Sequence, residues 1–142
     1  MKGIGADGEY WVALAQGKLK MQRCAGCSQW HWPAVWRCGE CGSWDQQWHE
    51  VEPQGRIYSW TRSWYDFGGP RDLPMPYISV VVELDDVEGK RLLGTLDSSS
   101  VEPFIGMPVT GRTHHSEFEG EALLSIRWIP LETPRTATVE GV

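Results

Sequence analysis

Four cysteines stand at positions 24, 27, 38 and 41, and the chain has no others. They form two Cys-x-x-Cys knuckles, Cys24-Ala25-Gly26-Cys27 and Cys38-Gly39-Glu40-Cys41, with ten residues between them. Few sequence features restrict a fold so tightly. A two-residue spacer lets one turn present both sulfurs to a single ion, and four soft thiolates favour tetrahedral zinc. Gly26, Gly39 and Gly42 suit such turns, because glycine accepts positive φ without steric cost. The spacing predicts a structural zinc site held by Cys24, Cys27, Cys38 and Cys41. Such a site leaves no open position for a catalytic water and no cysteine free as a nucleophile.

Other readings of the cysteines fit less well. Two disulfides need an oxidising compartment, and no secretory leader is expected in MKGIGADGEYWVALAQGK, which lacks an apolar stretch and a cleavage site. A thioredoxin-like redox pair does not explain two pairs bracketing ten residues. His31 and His49 could replace a ligand, but the cysteines suffice, and both are expected to be surface histidines.

The 142 residues make one compact domain or two small ones. The net charge is −6, and residues 63–142 carry thirteen acidic groups against six basic ones. That balance argues against a protein that grips a nucleic-acid backbone. No apolar run approaches the roughly eighteen residues of a membrane span. There is no asparagine, hence no N-glycosylation acceptor. A reduced, cytoplasmic setting is the expectation. Five of the nine tryptophans (Trp30, Trp32, Trp36, Trp44 and Trp48) lie in or just after the cysteine module. Large rings supply buried area where a core is small, and any left exposed mark an interface.

Along the chain, residues 7–17 read as a short helix capped by Asp7, with Tyr10, Trp11 and Leu14 on one side and Gly17 at its end. Leu19, Met21 and Arg23 lead as a strand into the first knuckle. Beyond Pro53 the period becomes two. Gly55–Tyr65 alternates, with Tyr58, Trp60, Arg62 and Trp64 on one face and Ile57, Ser59, Thr61 and Ser63 on the other. Residues 66–76, DFGGPRDLPMP, form a loop. Tyr77–Leu84 reads as a buried strand, followed by strands at Arg91–Leu96, Met107–Thr113 and Ala122–Ile129. The chain is therefore mainly β. Its expected parts are a helix and lead-in strand (1–20), a zinc ribbon (21–50), a five-stranded OB-fold barrel (51–130) and a tail (131–142). The sequence alone does not separate an OB-fold from an SH3-like barrel.

Several motifs carry no chemistry. Gly3-Ile4-Gly5-Ala6-Asp7-Gly8 matches a dinucleotide fingerprint, but no strand precedes it, so a flexible terminus is expected. Adjacent His114 and His115 point to opposite strand faces; a solvated edge is expected, with a lone general base as the other reading. Asp85, Asp86 and Glu88 read as a solvated turn, as do Glu117, Glu119 and Glu121 around Gly120. Arg62, Trp64, Asp66 and Arg71 cluster at the Gly/Pro loop, with Tyr77 at its far end. Arginines beside an aromatic can hold a nucleotide or another phosphate-bearing ligand. The alternative pairs Arg62 with a local carboxylate and puts Trp64 in the core. Arg62, Trp64, Arg71 and Tyr77 are the candidate ligand- or partner-facing residues. No nucleophile, base and oxyanion set is legible.

The ordered elements resemble a known family. They are Tyr10-Trp11, Gly17-Lys18-Leu19 before Arg23-Cys24, the knuckles with Pro33 between them, Gly55-Arg56-Ile57-Tyr58-Ser59-Trp60-Thr61, Leu73-Pro74-Met75-Pro76-Tyr77, Val82-Glu83-Leu84 and Ile105-Gly106-Met107-Pro108-Val109. The family is the acyl-CoA-associated proteins with a rubredoxin-like zinc ribbon and an OB-fold, long catalogued as a domain of unknown function. The resemblance spans about residues 9–130. It implies a non-catalytic accessory subunit of a thiolase-fold partner such as a lipid-transfer-protein-like aldolase. In such a complex the partner supplies the catalytic groups, and this chain helps enclose the CoA thioester. The implied reaction is retro-aldol cleavage of a steroid or similar acyl-CoA side chain. Acyltransferase and thiolase assemblies are the alternative partners, and some members are fused or bound to hydratase-type proteins. A nucleic-acid module with Trp60 and Trp64 as stacking rings, or a scaffold touching no ligand, are further alternatives. Only the four cysteines carry over as site residues, and this ribbon is richer in tryptophan than common members.

Overall fold

The computed structural model describes residues 5–97 and 101–131. Gly3 of the glycine run, and the expected tail beyond Leu131, lie outside the described residues. Helix α1 spans Gly8–Ala15. Asp7 does not cap it with its side chain; its Oδ2 instead accepts the Trp11 indole N–H at 2.9 Å. Gly17, at φ 75°, stops the helix. There the Lys18 N–H reaches the Ala13 carbonyl and the Gly17 N–H the Leu14 carbonyl, each at 3.0 Å. Tyr10, Ala13 and Leu14 form the buried face.

Strands β1 (Leu19–Cys24), β2 (Trp30–His31) and β3 (Gln46–Val51) make an antiparallel sheet in the order β2-β1-β3. Buried Gln22 on β1 is bonded both ways to the backbone of Val35, at 2.9 Å in each direction. This ties the segment between the knuckles to the sheet.

Strands β4 (Gln54–Ser63), β5 (Tyr77–Leu84), β6 (Arg91–Leu96), β7 (Pro108–Phe118) and β8 (Glu121–Pro130) close a barrel in the order β4-β5-β6-β8-β7. All neighbours are antiparallel except β6 and β8. The first three strands meander, and the fifth returns beside the third. That Greek-key path is the OB-fold, and it settles the choice against an SH3-like barrel. Ile78, Val80, Val82 and Leu84 of β5 alternate inward.

Two sequence expectations are corrected by the strands. The β4 alternation is not continuous, because the register shifts between Ile57 and Ser59. Ile57 opposes inward Val82 and Trp60 opposes inward Val80, leaving Tyr58 on the outer face under the Arg91 guanidinium, 3.6 Å from its ring centroid. In addition, β7 and β8 run further than expected. Glu119 (φ 51°) and Gly120 (φ 79°) form the two-residue hairpin turn, and Glu117 and Glu121 are paired with Ala122 and Phe118 inside the strands.

One hydrophobic cluster joins helix, ribbon and barrel, from Tyr10, Leu14 and Met21 through Val80 and Val109 to Trp128. The Thr113 hydroxyl on β7 donates to the Leu14 carbonyl at 2.8 Å, which pins the helix to the barrel.

Candidate metal centre and barrel-end cavity

The four cysteine sulfurs lie within 4.8 Å of one another. Cys24 and Cys41 stand 3.6 Å apart, and Cys27 and Cys38 3.7 Å. A tetrahedron with metal–sulfur bonds of about 2.3 Å has edges of about 3.8 Å. The spacing and the donor chemistry both fit a structural zinc ion held by Cys24, Cys27, Cys38 and Cys41.

The two knuckles repeat one backbone device. The Ser28 N–H bonds the Cys24 carbonyl at 2.9 Å, and the Gly42 N–H bonds the Cys38 carbonyl at 3.0 Å. The left-handed residue of each knuckle is the one after its second cysteine, Ser28 (φ 65°) or Gly42 (φ 78°). Gly26 and Gly39, expected to supply that conformation, do not adopt it. Gly26 has a different reason to lack a side chain: a Cβ there would lie 3.1 Å from the Cys41 sulfur.

Without metal the cluster does not hold four thiolates. The Cys27 N–H bond to the Cys24 sulfur lowers that thiol to about 6 against the opposing effect of burial. The Cys41 N–H lowers Cys38 in the same way. The Gln29 N–H lowers Cys27, but burial and the neighbouring thiols outweigh it and push Cys27 up to about 12. At Cys41 the Ser43 N–H is likewise outweighed, by the Cys24 thiol and burial, and the thiol is raised. A bound dication supplies the charge that lets all four deprotonate.

His31 is not a plain surface residue. It is half-buried, with Nε2 3.3 Å from the Cys38 sulfur. His49 is exposed and meets Trp30 edge-on. Trp36 and Trp44 lie open on the ribbon surface, while Trp30 is buried.

At one end of the barrel is a cavity of about 710 Å³. Arg62 and Tyr77 line it. The Arg62 Nη2 bonds Glu102 at 2.8 Å, and its guanidinium lies 5.4 Å from Trp60 and 5.8 Å from Trp64. Trp64 is 73% exposed, so the alternative that buries it in the core fails. Arg71 is exposed and does not line the cavity. Of the four sequence candidates, the fold brings Arg62 and Tyr77 together, sets Trp64 beside them and leaves Arg71 apart.

The cavity also contains residues that sequence reasoning missed: Asp72, Arg112 and Arg127, with His114 in a role not expected. Asp72 Oδ2 accepts from His114 Nε2 at 2.6 Å and from the Ser116 hydroxyl at 2.9 Å, with Arg127 Nη2 at 3.9 Å. These bonds, the His114 one first, hold the carboxyl below its ordinary value. His114 is therefore a paired, half-buried group rather than a solvated edge. Two signals were legible. Arg112, His114 and Ser116 recur every second residue and so share a face, and Arg127 interrupts the apolar run Ala122–Ile129. Asp72, inside a loop, had none.

A thiolate-rich ribbon packed on a five-stranded Greek-key barrel defines a zinc-ribbon/OB-fold protein. Residues 11–45 match the family profile of the ChsH2 rubredoxin-like zinc ribbon domain, and residues 48–114 that of the ChsH2 C-terminal OB-fold domain. The chain belongs to the ChsH2 family. It is similar to a chain of the solved Ltp2-ChsH2(DUF35) aldolase, with 29% identity and a TM-score of 0.72 over 88% of this chain and 94% of that one. A DUF35-family protein of unknown function from Sulfolobus solfataricus shares the fold, with a TM-score of 0.57 and 18% identity over 92% of this chain and 87% of the other. The chain is also 35% identical over 109 residues to a protein of Thermomonospora curvata named "Probable enoyl-CoA hydratase alpha subunit". That match takes in 75% of this chain and 33% of the relative, so the chain spans about a third of the relative's length. Among the described residues, no helix is long and apolar enough to cross a membrane.

Proposed function

We propose that the chain is a non-catalytic accessory subunit of an acyl-CoA-processing complex, paired with a thiolase-fold subunit that performs retro-aldol cleavage of a steroid or similar acyl-CoA side chain. The observation that carries this reading is the likeness to a chain of the Ltp2-ChsH2 aldolase over nearly the whole of that chain. One feature supports it. All four cysteines converge on one metal-binding cluster, which leaves none of them free as a nucleophile.

Co-expression with candidate thiolase-fold proteins tests the proposal. The expected result is a complex that survives gel filtration and cleaves an acyl-CoA substrate, while neither chain does so alone. A chain that stays free of every such partner, or that turns over substrate by itself, would overturn it. The Thermomonospora curvata relative favours a second reading, in which the partner is a hydratase-type protein. The same co-expression with a hydratase-type partner distinguishes the two by the product formed, a hydrated acyl-CoA or a cleaved one.

A further inference from the structure

We propose that the barrel-end cavity is a binding site for an organic oxyanion, a carboxylate or phosphate on an apolar body, gripped between Arg127 and Arg112. Arg127 is the only charged side chain buried among the described residues, with 9% of the side chain exposed. Its nearest carboxylate oxygen there, Asp72 Oδ2, stands at 3.9 Å and already accepts hydrogen bonds from His114 and Ser116. The buried Arg127 Nε has no partner among the described residues. A buried cation lacking hydrogen-bonded compensation is costly, and chains keep such groups where a ligand completes them.

The neighbour across the ladder points the same way. Arg112 on β7 sits directly opposite Arg127 on β8, and like charges in that position repel. Arg112 pairs with Asp97 at 2.5 Å, toward solvent, where its side chain is 59% exposed. Each guanidinium has five N–H donors in a fixed fork that suits the two oxygens of a carboxylate or phosphate. An oxyanion between the two would take up unused donors and relieve the repulsion. Arg62 adds a third cation to the same wall, where Glu102 pairs with it as Asp97 pairs with Arg112. Much of the remaining wall is apolar, including Pro74, Met75, Ile78 and Leu96, which calls for an apolar body on the anion. The volume lies within the roughly 300–1,000 Å³ of small-molecule sites.

The proposal does not depend on the accessory-subunit reading, because its test uses the zinc-loaded full chain alone. Calorimetric titration with decanoate and with phenyl phosphate, and inorganic phosphate as the control, should show saturable binding of at least one organic probe, weaker at high salt. Preference for decanoate assigns a carboxylate site, and preference for phenyl phosphate a phosphate site. Arg127→Met and Arg112→Gln should each weaken that binding by roughly ten- to a hundredfold, the scale of one lost charge-assisted contact. Ligand-free Arg127→Met should melt no lower than wild type, because an apolar chain of similar length removes a buried charge whose carboxylate neighbour among the described residues lies beyond hydrogen-bond distance. A merely structural arginine would lower the melt instead. If Arg127→Met does not fold, Arg112→Gln, at an exposed side chain, carries the binding readout. Absence of saturable binding by both organic probes, or undiminished binding in the variants, overturns the proposal.

Discussion

The indole of Trp128 lies against Gly94 so closely that a Cβ on that glycine would stand 2.6 Å from ring atoms Cδ1 and Nε1. Across the next pair of strands Gly111 opposes Trp128, and a Cβ there would lie 2.9 Å from Cζ3. The ring is fully buried. A large indole inside a small barrel is thus accommodated by two flanking strands that give up their side chains where it passes.

Gly94→Ala should therefore destabilise the barrel by about 1–3 kcal/mol, the usual cost of overpacking a closed core. Urea unfolding monitored by tryptophan fluorescence measures it. Gly69→Ala, where an added Cβ meets nothing within 4 Å, serves as the control and should stay within about 0.5 kcal/mol of wild type. Matching midpoints for the two variants would contradict the packing described.

His31 contacts the Cys38 sulfur rather than replacing a cysteine. Groups in that position orient a ligand, and their loss weakens metal binding by roughly ten- to a hundredfold. His31→Phe should lower zinc affinity to that extent in competition with a chromophoric chelator, while the far-ultraviolet circular dichroism is unchanged. An unaltered affinity would remove His31 from the metal site.

Zinc uptake should release protons. In the metal-free cluster Cys24, at about 6, is largely ionised at neutral pH, whereas Cys27, at about 12, is protonated and Cys41 is raised in the same direction. Loading the apo chain near pH 7 should displace at least the Cys27 proton for each zinc bound, so affinity must rise with pH. Indicator absorbance in a weakly buffered titration counts them. Release of none would mean that the four sulfurs are not the ligands.

Asp72 ties acid stability to the cavity. Its folded-state value is depressed, so its stabilisation is present above the unfolded value of about 3.9 and disappears as pH falls through the folded one. The side chain is 42% exposed, so solvent screening keeps the gain below about 1 kcal/mol. Asp72→Asn should be slightly less stable than wild type at pH 7, and the two unfolding curves should converge once the pH lies below the depressed folded-state value. A constant difference across that range would show that the Asp72 charge is not responsible.

The ribbon was legible because its information is local. Two-residue spacers bring sulfurs together whatever the rest of the chain does, and the four cysteines predicted from spacing are the four that converge. The five strands were legible for a related reason. Alternation such as that of Ile78, Val80, Val82 and Leu84 records one buried face per strand. The knuckle turns were only partly legible, since Ser28 takes a left-handed conformation usually expected of glycine.

What the amino-acid order determined by itself was the metal cluster, the run of strands and the single short helix, each read from a short stretch of sequence. Tertiary structure alone decided where the β4 bulge falls, and therefore that Trp60 turns inward while Tyr58 turns out. It also joined Asp72 to His114, 42 residues further on, and set Arg127 opposite Arg112. Those contacts depend on barrel closure and strand register, which arise from pairing energies summed over the whole sheet. No short stretch of sequence contains them.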